Sequence, residues 1–451
     1  MTQGNTHMTD TTATASGQDE LVDELRTWLE ENWDPDLTVG EWWQRLGLAG
    51  WAAPGLPTNA YGKALGRNDA VRVQTEIAAF GAVGAPAGLG LLLAAPTIAT
   101  HGTQEQIDLY VRDIVTGAKA WCQLFSEPGA GSDLAGLTTR AVKDGDEWIV
   151  NGQKVWTSLG QSADMGMLIA RTNVDVPKHQ GITWFAADMH QDGVDVRPLV
   201  EMTGHAMFNE VFLSDAHVAD DAIIGGLNNG WAVANTTLMH ERSGLGAGGG
   251  SAGGGMVVPG TIADQLGRRV GDFAVAPGSA PRRRSGAGAG AGFGGTAKML
   301  TDLAKGNGTV ADPTIRQDLM RLHTESEVAR MGNLRLKAAK AAGKDIPGFG
   351  NISKLAMSNM MRLQRDLSLR IVGASGMLHA YKDEDRAALD AATGNPFLAM
   401  VTSMALWAQA PPIYGGTDQI QRNIIGERVL GLPKEPNNDK VMPFSELPKN
   451  A

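Results

Sequence analysis

The spacing of apolar and polar residues changes twice along the chain, and each change marks a predicted domain boundary. From residue 20 to about residue 119 the apolar positions recur at helical spacing, as in Leu21, Leu25 and Leu29. From residue 120 the period becomes two, and after about residue 230 it becomes helical again. The pattern predicts a mainly α protein with a central β domain between two helical regions.

The central part of the chain contains short alternating segments separated by turn residues. The candidate turns at 143–146, 151–152 and 191–193 carry the Gly, Asp and Asn residues that hairpins favour. The predicted strands lie at 141–142, 148–150, 165–170, 181–185, 194–196 and 210–213. Strands at this spacing are typical of a small antiparallel sandwich or barrel.

A Gly-rich stretch interrupts the C-terminal helical region. Residues 244–295 contain many glycines and the basic run 282–284, and this composition does not sustain a helix. We interpret 244–295 as an insertion with one short helix near 261–268. Two roles stay open for it: a surface loop, because loop-closure entropy grows slowly with length, or a lid over a binding site.

Helices are predicted to resume after the insertion. They begin near residue 297, cover 314–342 and 353–381, and end with a helix for which Thr417 is a candidate N-cap. The helix over 314–342 is expected to turn four apolar residues inward, namely Leu319, Leu322, Val328 and Leu334.

These boundaries divide the chain into four parts. We predict a disordered polar tail at 1–18, a helical domain at 19–119, a β domain at 120–228 and a helical region at 229–451. The tail has no apolar core, so it is not a secretory signal. The longest apolar run, 87–99, is too short to span a bilayer. The sequence therefore predicts a cytoplasmic protein without membrane insertion.

Composition argues against several classes of function. The 39 basic and 49 acidic residues give a net charge of −10, whereas nucleic-acid surfaces are basic. The single cysteine, Cys122, excludes an intrachain disulfide and a multi-cysteine metal site. No group of His, Asp and Glu has metal-ligand spacing, and no P-loop is present.

The stretch 121–133, Trp-Cys-Gln-Leu-Phe-Ser-Glu-Pro-Gly-Ala-Gly-Ser-Asp, combines a short apolar strand with a Gly-rich turn. Pro128 ends the strand because it cannot donate to a ladder. Gly129 and Gly131 allow the backbone to approach a flat or anionic group, and Ser126 and Ser132 supply hydroxyls. By itself the stretch fits a ligand-binding turn and an ordinary glycine turn equally well.

Three motifs together resemble the acyl-CoA dehydrogenase family over about residues 20–436. The motifs are Phe-Ser-Glu-Pro-Gly-Ala-Gly-Ser-Asp at 125–133, Asn-Gly-Gln-Lys-Val-Trp-Thr-Ser at 151–158, and Tyr-Gly-Gly-Thr-Asp-Gln-Ile-Gln-Arg-Asn at 414–423. The resemblance implies a β-barrel or sandwich followed by a C-terminal four-helix bundle. It also implies FAD-dependent desaturation of an acyl-CoA thioester to a trans-2-enoyl-CoA, with an electron-transfer flavoprotein as electron acceptor.

The resemblance further implies which residues contact FAD. The Phe125 backbone and the Ser126 hydroxyl would lie at the pyrimidine end of the flavin, Trp156 would pack on its rings, and Ser158 would hydrogen-bond near N5. A core aromatic on a strand is the alternative role for Trp156. The implied cofactor-binding residues are Phe125, Ser126, Gly131, Ser132, Trp156, Thr157, Ser158, Arg370, Thr417 and Gln419.

The substrate side of the site follows from the same resemblance. Ser132 would contact the pantetheine of the CoA ester, and His240 would line the pocket rather than act in catalysis. Thr417 and Gln419 would present a helix N-terminus, which suits an anionic group. The implied substrate-binding residues are Ser132, His240, Gly415 and Gly416.

The catalytic base is expected at an unusual position. Most family members carry a glutamate directly after the tyrosine of the last motif, where this chain has Gly415. A minority, including isovaleryl-type enzymes, place the base in a Leu-x-x-Glu-Arg-like segment, which here reads Leu-Met-His-Glu-Arg at 238–242. Glu241 is therefore the candidate base, with Arg242 positioning it. The alternative is a solvated Glu-Arg pair on a helix surface.

Two departures from the family pattern predict a heteromer. The Arg-x-x-Phe-Gly signature that reaches a neighbour's FAD in homotetrameric members is missing from 303–308, which reads Leu-Ala-Lys-Gly-Asn-Gly. Arg370 stands where relatives often have a glutamine that contacts the same cofactor. Some actinobacterial relatives that act on sterol side chains form α2β2 assemblies, and we expect this chain to be the base-bearing subunit of such an assembly.

Two other functions stay open at this point. A flavin oxidase or monooxygenase on the same fold would differ in how rapidly O2 oxidises the reduced flavin. A non-catalytic subunit would shape a companion's pocket, but it would not need Ser126, Ser158 and Glu241. The sequence leaves open the acyl group, which could be a fatty acyl chain or a steroid side chain.

Overall fold

A computed structural model of the chain describes residues 12–246, 266–274 and 293–448. Side chains are described throughout these ranges except at 12–19, 242–246, 293–294, 340 and 383. The described residues form two compact units. The first unit contains 12–122, 162–165 and 266–274, and the second contains 123–161, 166–246 and 293–448.

The first unit is helical, as its apolar spacing predicts. Of the predicted tail, residues 1–11 lie outside the described residues, and the first helix already begins at Thr12. Two π-helical segments, Gly90–Ala94 and Ile107–Val111, continue into the short helices that follow them. The helices are α1 (Thr12–Asn32), α2 (Val39–Leu48), α3 (Arg67–Phe80), α4 (Ala95–His101), α5 (Gln104–Gln106) and α6 (Arg112–Val115).

Tryptophans form much of the core of the first unit. The Trp42 side chain is fully buried, and its ring meets that of Trp33 edge-on, with the centroids 4.7 Å apart. Its indole N–H donates to the Val83 carbonyl at 2.7 Å, so the buried polar atom is satisfied. A capping box between Thr38 and Glu41 fixes the start of α2 beneath these rings.

Part of the predicted insertion belongs to the first unit. Within 266–274, the Val270 N–H donates to the Leu37 carbonyl at 2.8 Å, and the Arg268 carbonyl accepts from the Val39 N–H at 2.9 Å. The Val270 side chain is completely buried, and Arg269 forms an ion pair with Asp36. Most of the predicted helix at 261–268 and the basic run at 282–284 lie outside the described residues.

An eight-stranded sheet organises the middle of the chain. Its order is β6-β7-β3-β2-β4-β5-β8, with β1 pairing to β4 beside this path. The ladders of β2 with β3, β3 with β7, β6 with β7 and β5 with β8 are antiparallel, whereas the short pairing of β2 with β4 is parallel. The strands are β1 (Trp121–Leu124), β2 (Arg140–Asp144), β3 (Glu147–Ser158), β4 (Met165–Arg171), β5 (Ile182–Asp188), β6 (Val194–Leu199), β7 (Phe208–Ala219) and β8 (Ile223–Ile224).

The C-terminal helices pack around an apolar cluster. The cluster is contributed by three helices and consists of Ala297, Leu300, Ala304, Ile315, Leu319, Leu322, Leu367 and Ile371. The helices are α7 (Gly230–Gly246), α8 (Phe293–Gly306), α9 (Pro313–Ala341), α10 (Phe349–Val372), α11 (Asp383–Thr393), α12 (Leu398–Trp407) and α13 (Asp418–Ile424). The predicted order of helical domain, β domain and helical region is confirmed.

The inward prediction for α9 is correct for only half of the helix. Leu319 and Leu322 are buried, but Val328 is 65% exposed and Leu334 is 52% exposed. The burial of α9 ends near Ser326, because the cluster covers only the first half of this long helix. Met331, at 58% exposed, lies between them, so the second half of α9 carries three exposed apolar side chains.

Candidate functional site

The backbone after β1 is held by β3. The Val155 N–H donates to the Ser126 carbonyl at 2.9 Å, and the Lys154 ammonium donates to the Phe125 carbonyl at 3.1 Å. The first motif begins at residue 125 and the second at residue 151, which is 26 residues later. These hydrogen bonds make the two motifs neighbours in the fold. Ser126 is half-buried at this junction.

A buried ion pair lies beneath the junction. The Lys154 Nζ is 2.9 Å from the Glu127 Oε1, and both side chains are almost inaccessible to solvent. Glu127 also accepts hydrogen bonds from the N–H groups of Thr138 and Thr139, at 2.6 and 3.0 Å. Burial of the carboxyl opposes its ionisation, but Lys154 and the threonine donors outweigh burial and lower the pKa of Glu127 to about 2.

Trp156 has a strained backbone and an exposed ring. Its φ is +61°, which bulky residues rarely adopt, and the register between β3 and β7 shifts between Lys154 and Thr157. The bulge turns the ring outward, so that it is 61% exposed, and it meets the Phe208 ring edge-on with the centroids 5.9 Å apart. Strain of this kind clusters at ligand sites, and an exposed ring offers a flat surface for a planar group.

Thr157 leaves a polar atom unsatisfied beside this ring. Its side chain is buried, and its hydroxyl has no hydrogen-bond partner among the described residues. Asn209 donates to the Thr157 carbonyl at 3.0 Å, which fixes the strand at this point. A buried hydroxyl without a partner is rare in native proteins and is consistent with a hydrogen-bonding ligand. Ser158 follows, half-buried and opposite Phe208.

The Gly-rich turn after Pro128 has open space around it. A Cβ added at Gly129 or Gly131 would meet no atom within 4 Å, and both residues are exposed. Ser132 is exposed as well. These glycines are therefore not required by internal packing, and the turn has room for a ligand along its outer side.

The loop before α13 depends on two glycines. Gly415 has a φ of +62° and Gly416 a φ of +80°, and the Gln421 amide donates to both carbonyls at 3.0 and 3.1 Å. A longer side chain at Gly415 would be strained in this conformation. The Thr417 hydroxyl accepts from the Ile420 N–H at 3.2 Å, so the predicted N-cap is confirmed.

Asp418 anchors the start of α13 and was not predicted from the sequence. Its buried carboxylate forms ion pairs with Arg362 at 2.8 Å and with Lys354 at 3.5 Å, both on α10. The neighbouring side chain, Gln419, is exposed. The carboxylate at the first position of a helix was the available signal, because acidic residues there often have structural partners.

Glu241 continues the buried stripe of α7. Val233 and Thr237 are completely buried, and Glu241 follows them at a spacing of four residues, which places it on the same face. That face belongs to a helix that contacts β5 and α10. Glu241 is half-buried, which disfavours the interpretation as a fully solvated surface pair. Burial lowers the pKa of His240, and the side chain of Arg242 lies outside the described residues.

Arg370 has partners away from the other candidate residues. Its guanidinium donates to Asp318 and to the Thr314 hydroxyl, both on α9. Nearby, the Asn307 amide donates to the Ile371 carbonyl at 2.7 Å. The end of α8 is therefore tied to its own α10 in the region where the sequence lacks the inter-subunit signature.

The described residues contain no group of three or more His, Cys, Asp and Glu side chains arranged to hold a metal ion. Within the same ranges, no helix is both long enough and apolar enough to cross a membrane.

Three family models match successive parts of the chain. They describe the acyl-CoA dehydrogenase N-terminal domain over 5–118, the middle domain over 122–216 and the C-terminal domain over 289–430. The acyl-CoA dehydrogenase IpdE1 of Mycobacterium tuberculosis is 33% identical over 394 residues, which cover 87% of this chain and 88% of that protein. None of the three family models covers α7. The argument for Glu241 therefore depends on its sequence segment and on its position along the buried face of α7.

Solved structures share the fold. The ChsE4-ChsE5 complex from Mycobacterium tuberculosis contains a chain that aligns with a TM-score of 0.63 and 26% identity, covering 95% of this chain and 100% of that chain. The Tcur3481-Tcur3483 steroid ACAD aligns with the same TM-score at 24% identity, over 95% of this chain and 100% of that chain, and this likeness concerns the fold.

We expect Glu127→Gln to change how stability depends on pH. The folded pKa of Glu127 is lowered from an ordinary value of 4.5 to about 2, so its contribution is complete above pH 4.5 and is lost as the pH falls toward 2. The variant should lose about 3–5 kcal/mol at pH 7, because Lys154 is left buried without its partner, and should show a flatter profile between pH 4.5 and 2.

Urea denaturation of the wild type and the variant across this pH range measures the difference. The exposed Glu147, on the same sheet, provides the control, since Glu147→Gln should change stability at pH 7 by less than about 0.5 kcal/mol. If the unfolding free energies of the wild type and Glu127→Gln fell in parallel between pH 4.5 and 2, the ion pair of Glu127 with Lys154 would not stabilise the fold.

Proposed function

The chain belongs to the acyl-CoA dehydrogenase family, and on this premise we propose that it desaturates the α,β carbon–carbon bond of an acyl-CoA thioester to give a trans-2-enoyl-CoA. The observation that carries the proposal is the position of Glu241 on the buried face of α7, together with the absence of a carboxylate at Gly415. A chain that lacks the usual carboxylate retains another where a minority of the family has its base.

The residues around β3 fit FAD. The exposed and strained Trp156 offers a flat surface, and the buried Thr157 hydroxyl without a partner offers a hydrogen bond. FAD, when bound, supplies the hydride acceptor at N5. The Phe125 backbone, Ser126 and Ser158 would hold its ring system, and Thr417 and Gln419 would approach it from the start of α13. The remaining implied contacts are Gly131, Ser132 and Arg370, of which Arg370 already has partners on α9.

Glu241 would act as the base that removes the proton α to the thioester carbonyl. A carboxylate can accept this proton if it lies within reach of the α carbon, and the half-buried face of α7 would shield it from bulk water. Arg242 would position this carboxylate, and His240, whose pKa burial lowers, would line the pocket. Hydrogen bonds to the thioester oxygen would stabilise the charge that develops there.

A bulky acyl group is the substrate class that the site favours. Gly415 has no side chain where most relatives carry a glutamate, and this exchange would leave room for a bulkier acyl group. The Tcur3481-Tcur3483 steroid ACAD shares the fold. We propose the CoA ester of a steroid side chain, with a fatty acyl-CoA as the alternative.

The chain would function with a homologous subunit. The second half of α9 presents an apolar face that includes Val328, Met331 and Leu334. Asn307 donates a hydrogen bond to α10 of the same chain, in the region where homotetrameric relatives contact the FAD of a neighbouring subunit. One solved relative is the ChsE4-ChsE5 complex. We propose an α2β2 assembly in which this chain carries the base, with an electron-transfer flavoprotein as electron acceptor.

We expect Glu241→Gln to reduce kcat by about 10²- to 10⁴-fold without loss of flavin, because an amide cannot accept the α proton. Stopped-flow reduction of the bound flavin by substrate measures this step, and the flavin absorbance gives the cofactor content. Glu384→Gln, which alters an exposed carboxylate on α11, is the control and should retain the wild-type rate. A Glu241→Gln enzyme with a near-normal rate would remove Glu241 from the catalytic role.

We expect the chain purified alone to bind little flavin and to become yellow when it is co-expressed with a homologous acyl-CoA dehydrogenase subunit. The reason is that the region at 303–308 lacks the residues that complete a neighbouring cofactor site. Visible spectra and size-exclusion chromatography measure the two states, and Val328→Asp should weaken the association. Stoichiometric flavin in the lone chain would contradict the heteromer.

We expect kcat/KM for a steroid side-chain CoA ester to exceed that for a straight-chain acyl-CoA by about tenfold or more, because a fitting pocket gains binding energy from the added apolar surface. The assay compares both esters with the assembled enzyme and an artificial electron acceptor. A preference for the straight-chain ester would overturn the argument from Gly415.

A further inference from the structure

The residues that follow α13 form a structure of their own on the β domain. The match to the C-terminal family model ends at residue 430, but the chain continues in an ordered path. The Phe444 N–H donates to the Val176 carbonyl, and the Ser445 N–H donates to the Val174 carbonyl, each at 2.9 Å. We call residues 439–445 the C-terminal clip, because they attach to the connection between β4 and β5.

Phe444 covers a buried arginine of the sheet. Its ring is 8% exposed and lies 3.8 Å from the guanidinium carbon of Arg171, which is itself 1% exposed. Arg171 donates to the carbonyls of Ala135 and Leu137. The guanidinium therefore links the clip to the backbone directly after the Gly-rich turn, and a cation over an aromatic face is attractive.

Asp439 reaches the same turn through a lysine. The Lys178 Nζ is 2.6 Å from an Asp439 carboxylate oxygen and 2.9 Å from an Asp133 carboxylate oxygen. The lysine side chain is only 7% exposed, so both carboxylates compensate for the loss of its hydration. Burial favours the neutral amine, but its hydrogen bonds and charge pairing with Asp439 and Asp133 raise the pKa of Lys178 overall.

Among the described contacts, the turn is held internally only at its upstream end. Glu127 and Ala130 exchange two backbone hydrogen bonds of 3.1 Å, and Ala130 is buried, whereas Gly131 and Ser132 are exposed. Asp133, fixed by Lys178, directly follows Ser132 in the sequence. The described contacts to the clip therefore lie at the downstream end of the turn, next to the hydroxyl proposed to contact the CoA ester.

We propose that the C-terminal clip positions the 129–133 turn for binding the pantetheine of the CoA ester, with Asp439 and Phe444 as positioning residues. The inference rests on the proposed function, since that function assigns Ser132 to the substrate. It adds a determinant of substrate affinity from outside the part of the chain that the family models match.

The test compares Asp439→Asn and Phe444→Leu with Val441→Ala, which alters an exposed residue within the clip. For Asp439→Asn we expect KM for the acyl-CoA to rise about tenfold, which is the effect of losing roughly 1.4 kcal/mol of binding free energy, with kcat and flavin content retained. Asp439→Glu, which keeps the carboxylate, should restore most of the affinity. Val441→Ala should behave as the wild type.

Hydrogen exchange of the turn gives a readout that does not require the substrate. Amides between residues 129 and 137 should exchange faster in Asp439→Asn and in Phe444→Leu than in the wild type, by a larger factor than amides elsewhere in the β domain. Unchanged exchange rates together with an unchanged KM would overturn the proposal that the clip positions the 129–133 turn. If the variants exchange faster but the wild type binds no CoA ester, the clip does position the turn and the proposed function is wrong.

Discussion

The ion pair between Glu127 and Lys154 is the interaction on which the candidate site depends. It is buried, and the carboxylate is also satisfied by the N–H groups of Thr138 and Thr139, so the pair avoids the destabilisation of an isolated buried charge. Lys154 additionally holds the Phe125 carbonyl. One side chain therefore connects the backbone after β1 to β3, and this explains why the first two motifs occur together.

The anchoring of Lys154 also affects Trp156, whose backbone is strained. Lys154 is fixed inside the sheet, whereas Trp156, two positions later, projects outward through a bulge. A rigid inner anchor allows the outer residue to keep an unfavourable φ, since the surrounding ladder determines the backbone. The site thus combines a stable interior with an exposed aromatic surface, a combination suited to a planar ligand that must be held in one orientation.

Much of the fold follows from local sequence patterns. The two changes of period locate the β domain, and Thr417 caps α13 as its residue type predicts. Periodicity could not show that Val328 and Leu334 are exposed, because an apolar stripe looks the same whether its cover comes from the same chain or from another. It also could not show the pairing of β2 with β4, which depends on the path between distant strands.

The site was less accessible to sequence reasoning than the fold. The motifs indicated the residues near β3, but the φ of Trp156 depends on a register shift that no residue type announces. Asp418 and Asp439 act through ion pairs with distant residues, which a single sequence does not reveal. Glu241 is proposed as the base from its segment, and its spacing of four residues from the buried Thr237 supports that proposal.

The burial of Val270 in the first unit has a consequence for how the chain is made. This unit consists mainly of residues before 122, yet one of its core side chains comes from 266–274. During synthesis, the ribosome must translate the entire β domain and α7 before that side chain is available, which takes on the order of ten seconds. The N-terminal helices therefore emerge first but complete their core later, and a fragment ending at residue 122 would have an unfilled position in its interior.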